Sequence, residues 1–124
     1  HFYFRDFWRA DSGMLAALHA IAALGENDVS LSDLLAPFNR YVSSGEINST
    51  VSDAPAASRQ IEEIYGSHSG VELDHLDGLT VTGDTWWFNL RASNTEPLLR
   101  LNVEAATEGE MTSVRDAVLK TIRA

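Results

Sequence analysis

The chain has 124 residues, 44% of them hydrophobic, a formal net charge of −9 and no cysteine. Such a length fits one domain, or one domain plus part of another, with enough apolar material for a core. The charge disfavours nucleic acid and anionic membranes as partners, and the missing thiols exclude disulfides, cysteine nucleophiles and Cys-based zinc sites.

The opening "HFYF" is aromatic and β-prone, and a strand is expected there. No apolar signal segment follows it, and no stretch is long and apolar enough to span a bilayer. "RADSGMLAALHAIAALGEN" predicts a helix with Asp11 or Ser12 as N-cap and Gly25 as its stop. Met14, Leu15, Leu18, Ile21, Ala22 and Leu24 form its apolar stripe. "SLSDLLAPFNRYVSSG" predicts a shorter helix, capped by Ser30 or Ser32 and ended or kinked by Pro37.

From Gly45 the pattern changes. "GEINSTV" reads as a strand, and "SDAPAASRQIEEIYGS" as a helix with proline near its start and Gly66 at its end. "GVELDHLDGLTVTG" predicts two short strands joined around Asp77-Gly78. "DTWWFNLR" and "LLRLNVEA" are the next two strands, and "EGEMTSVRDAVLKTIRA" is an amphipathic helix, acidic early and basic late. The order β-α-β-β-β-β-α predicts an α+β domain over residues 45–124, an antiparallel sheet with helices on one face. Residues 1–44 read as a strand and two helices belonging to a neighbouring α/β domain. With no initiator Met and a strand-like start, the chain is expected to be cut from a larger protein.

Between the two long strands lies "RASNTEP", residues 91–97. Arg91 offers a planar fork of donors that matches phosphate bidentately. Ser93 and Thr95 add hydroxyls, and Asn94 tolerates a left-handed backbone, so several N–H groups can converge on one anion. Pro97 fixes the loop's exit, while Glu96 is placed to orient Arg91 or to cap a backbone N–H. Leu99, Leu101 and Val103 alternate with Arg100, Asn102 and Glu104, which sets Arg100 on the polar face near the loop. Composition alone leaves an ordinary wide hairpin open, its Ser, Asn and Thr satisfying their own backbone.

"NLRASNTEPLLRLNVEA" closely resembles the phosphate-binding loop of the last domain of the α-D-phosphohexomutases, whose usual pattern is Arg, any residue, Ser, Gly or Asn, Thr, Glu, Pro. "HFYFRDFWRADSGMLAALHAIAALGE" resembles the end of that family's third domain, just after its sugar-binding loop. The resemblance implies a C-terminal domain of TATA-box-binding-protein-like fold after a remnant of the third domain, from a phosphomannomutase/phosphoglucomutase. Carried over by position, Arg91, Ser93, Asn94 and Thr95 bind substrate phosphate, with Arg100 a less direct carry-over. His1 corresponds to the sugar-contacting histidine that ends the third-domain loop, a tag remnant being the other reading.

The family's phosphoserine context and Asp-x-Asp-x-Asp metal loop are both missing from these residues. The resemblance therefore implies no catalytic residue and no cofactor in this chain, and Mg²⁺ in the full-length enzyme. The implied partners are a mannose or glucose 1- or 6-phosphate and the remaining mutase domains, in the cytoplasm. The chain alone is expected to be inactive. The alternative is a free-standing, non-catalytic α+β module that binds a phosphorylated ligand or a protein.

The remaining polar residues carry blander expectations. His19 is a helix residue, and His68 and His75 are too dispersed for a metal site. Glu62 and Glu63 read as a solvated helix face, and Asp77 as turn chemistry. Trp86 and Trp87 point to opposite faces of one strand, one of them towards the core.

Overall fold

The computed structural model describes residues 1–124, which divide into two compact units, His1–Asn39 and Arg40–Ala124. This packing division falls a few residues before the domain boundary expected near residue 44. Val42 and Ser43 form a short strand, β1 (Val42–Ser43), on the second unit's sheet.

The first unit holds α1 (Gly13–Gly25), α2 (Leu31–Leu35) and a 3₁₀ turn at Ala36–Phe38. Ser12 caps α1 by accepting from the Leu15 N–H, and Ser30 caps α2 by accepting from the Asp33 N–H. Pro37 lies in the 3₁₀ turn, where its ring ends the α-helical run. The strand expected at "HFYF" does not form; one isolated bridge joins Tyr3 to Asp11. A strand needs a ladder of partners, and here the Phe2 N–H is taken by the Asp11 carboxylate instead. No residue of this unit is buried.

The second unit contains β1, β2 (Ile47–Thr50), α3 (Ala54–Gly66), β3 (Glu72–Asp74), β4 (Leu79–Thr82), β5 (Trp86–Ala92), β6 (Leu98–Ala105) and α4 (Glu108–Ile122). The strands form an antiparallel sheet in the order β1-β6-β5-β4-β3, with β2 also on β6. β1 and β2 are one edge strand interrupted by a bulge. Val42 pairs with Ala105 and Ser43 with Glu104, but pairing resumes at Ile47 with Leu101, so one residue is extra. Gly45 absorbs it at a φ of 65°, which glycine adopts at little cost.

Alternation along β5 and β6 separates two faces. Phe88, Leu90, Leu99, Leu101, Val103 and Ala105 are buried on one. α3 presents Ala57, Ile61 and Tyr65 to that core at four-residue spacing, and α4 presents Met111, Val114, Val118 and Ile122. Asp53 caps α3 by accepting from the Ala56 N–H, and Thr107 caps α4 by accepting from the Glu110 N–H. Tyr65 meets Phe88 edge-on, and Trp86 stacks parallel to Phe88, so Trp86 is the core-side tryptophan. Burial pushes the Tyr65 phenol above its ordinary pKa. Ser49, the one buried polar residue, is satisfied by Arg123 Nε at 2.9 Å.

The opposite face of β5 and β6 carries Trp87, Asn89, Arg91, Arg100, Asn102 and Glu104, none fully buried. Trp87 Nε1 donates to Glu104 Oε2 at 3.1 Å.

Candidate functional site

The β5–β6 connection positions the candidate site. Ser93 N–H donates to the Leu98 carbonyl at 2.8 Å and closes the loop's base. Inside it, Ser93 Oγ accepts from the Thr95 N–H at 3.4 Å, a local turn of the kind serine favours. The Pro97 carbonyl accepts from the Val51 N–H, which ties the exit to the segment after β2.

The loop forms one wall of an open cleft of about 420 Å³, lined by Asp77, Gly78, Arg91, Ala92, Ser93, Asn94, Thr95 and Arg100. Five of these, Arg91, Ser93, Asn94, Thr95 and Arg100, are the phosphate-binding residues expected from sequence, here brought together at one place. His1 belongs to the first unit, where its Nδ1 pairs with the Asp11 carboxylate.

Arg91 and Arg100 are direct cross-strand partners in the β5–β6 register. Like charges placed opposite each other in a sheet destabilise it, typically by a few tenths to about 1 kcal/mol. Each guanidinium has one carboxylate beside it. Arg91 Nη1 donates to Asp77 Oδ2 at 3.0 Å, and Arg100 Nη1 lies 4.0 Å from Glu46 Oε2. Arg100 Nε is buried without a hydrogen-bond partner. A buried donor left unpaired costs about 1–3 kcal/mol.

The carboxylate beside Arg91 is that of Asp77 and not that of Glu96. Asp77 was legible only as a turn residue, because its second role depends on strand pairing. Leu79 pairs with Leu90, so the register carries the Asp77-Gly78 turn up to Arg91. Counting back along that hairpin is the signal that would have found it. Glu62 also differs from a plain solvated residue, lying 3.3 Å from His75 Nε2.

The family profile described as "Phosphoglucomutase/phosphomannomutase, C-terminal domain" matches residues 46–121. The profile described as "Phosphoglucomutase/phosphomannomutase, alpha/beta/alpha domain III" matches residues 1–41. The chain belongs to the phosphoglucomutase/phosphomannomutase family. It is 45% identical over 116 residues to the "Phosphohexose mutases" protein of Xanthomonas campestris pv. campestris (strain B100), covering 93% of this chain and 26% of that one. The "Phosphomannomutase" of Methanocaldococcus jannaschii is 42% identical, over 90% of this chain and 24% of its own length. The "Phosphomannomutase" of Escherichia coli (strain K12) is 37% identical, over 98% and 27% respectively. The chain thus spans about a quarter of the length of these relatives. The crystal structure of a phosphoglucomutase/phosphomannomutase family protein from Burkholderia thailandensis shares the fold, with a TM-score of 0.70 at 24% identity over 98% of this chain and 26% of that one.

Proposed function

We propose that residues 91–95 and Arg100 grip the phosphate of a hexose 1- or 6-phosphate, of mannose or glucose, on behalf of a phosphohexomutase. The observation that carries this reading is the pair of arginines in direct register, lining one cleft with Ser93, Asn94 and Thr95. A phosphate offers several acceptor oxygens to such donors, and an arginine fork meets two of them at once. The gripped phosphate is the one not being transferred. Holding it places the rest of the sugar, which lowers the entropic part of a reaction barrier.

The chain would supply this clamp and none of the bond-breaking chemistry. A nucleophilic serine would stand elsewhere in the longer protein. Within the 124 residues no three or more acidic or histidine side chains gather as metal ligands, so this chain's residues do not fit Mg²⁺, which would be held elsewhere in the longer protein. No helix is long and apolar enough to cross a membrane. A cytoplasmic setting goes with the phosphosugar reading.

The test is an amide NMR titration of the 124-residue chain with mannose 6-phosphate and with inorganic phosphate, repeated on Arg91→Ala. Shifts at residues 91–95 and Arg100 that disappear in the variant are the expected result. Shifts that persist unchanged in Arg91→Ala would overturn the assignment.

A further inference from the structure

We infer that Asp77 is the positioning residue of this anion site, a role that rests on the phosphate reading above. Its carboxylate takes one corner of the Arg91 guanidinium, Nη1, at 3.0 Å. That leaves the Nε–Nη2 edge, the side of the fork suited to two phosphate oxygens, free to meet a ligand. Arginine on an exposed strand end has many rotamers, and fixing one of them removes an entropic cost from binding.

The carboxylate can do this because its own backbone is pinned in two ways. The Asp77 carbonyl accepts from Asn89 Nδ2 at 2.7 Å, and the same amide donates to Thr80 Oγ1 at 3.0 Å. Asn89 lies on the same strand and face as Arg91, two residues earlier. The next residue, Gly78, sits at a φ of 75° and is pressed onto β5. A Cβ there would stand 2.6 Å from the Leu90 carbonyl oxygen and 3.0 Å from Arg91 Cα. The turn is therefore seated against the strand at the residue that bears the guanidinium.

An acidic side chain in an anion site has an electrostatic cost, since it repels the phosphate it helps to bind. If Asp77 were only a surface ion-pair partner, removing its charge would leave phosphate affinity unchanged or raise it. If it positions Arg91, removing the charge weakens binding.

The experiment is an NMR titration of the 124-residue chain with inorganic phosphate for Asp77→Asn, Asp77→Glu, Arg91→Ala and the double variant Asp77→Asn/Arg91→Ala. Asparagine is equally at home in the turn, so the Asn89 side-chain and Gly78 amide signals should hold their positions. Asp77→Asn is expected to weaken phosphate binding about two- to fivefold, the scale of an exposed ion pair. Its Arg91 Nε–H signal should broaden as the guanidinium is released. Asp77→Glu should recover part of the affinity, and Asp77→Asn should have no further effect once Arg91 is alanine. Unchanged or tighter binding in Asp77→Asn, or a loss that persists in the Arg91→Ala background, overturns the role of Asp77 alone. Phosphate affinity unchanged by Arg91→Ala overturns the anion site itself, and the role of Asp77 with it.

Discussion

α1 and α3 have the same length, 13 residues each, and the same kind of start, a polar side chain accepting from a first-turn N–H. Their surroundings differ. α3 buries Ile61 and Tyr65 against a sheet, whereas α1 buries nothing, and its Met14, Leu18 and Ile21 are all more than half exposed. By composition α1 is the more apolar helix. The contrast teaches that local sequence specifies a helix, but only a packed face ties it to a cooperative fold. It also explains why the candidate site belongs to the second unit. A clamp must hold its donors in place, and β5 and β6 are fixed by a core in which Phe88, Leu99, Leu101 and Val103 have no exposure.

Amide hydrogen exchange puts this contrast to its hardest test. Opening energies within one protein run from near zero at frayed segments to the global value in the core. Amides of β5 and β6 should exchange slower than those of α1 by on the order of a thousandfold or more. Equal protection in α1 would mean that it is held as firmly as the sheet. Side-chain truncation gives a smaller effect in the same direction. Phe88→Ala should lower the second unit's stability by about 3–5 kcal/mol in urea unfolding followed by circular dichroism. Leu18→Ala, on the exposed face of α1, should change it by no more than about 0.5 kcal/mol. A comparable loss from both would mean that Leu18 is packed.

Much of the second unit was legible because its signals repeat. β5 and β6 alternate, and α3 and α4 carry apolar residues at helical spacing. β1 was not legible, since two residues carry no period, and its pairing depends on a bulge at Gly45. "HFYF" misled for the opposite reason. Its aromatic side chains favour a strand, but strand propensity reflects packing on a sheet, and Phe2 and Tyr3 lie largely in solvent. In the site, Arg91, Ser93, Asn94 and Thr95 were visible as one contiguous motif. Asp77 was not, being brought to Arg91 by the β4–β5 register.

The smallest effect separates local from cooperative stability most cleanly. Asp53 and Ser12 make the same bond, each side chain accepting from the N–H three residues on, at 2.8 and 3.1 Å. Alanine at either position should cost its own helix about 1 kcal/mol. For Asp53 that loss belongs to the second unit, so Asp53→Ala should lower the midpoint of its thermal transition. For Ser12 the loss stays within a helix that buries nothing. Ser12→Ala should therefore reduce the helical signal of residues 13–25 and leave the transition midpoint where it was. A midpoint shift in Ser12→Ala as large as that in Asp53→Ala would show that the two units unfold as one, because a two-state transition registers any loss within its cooperative unit and none outside it.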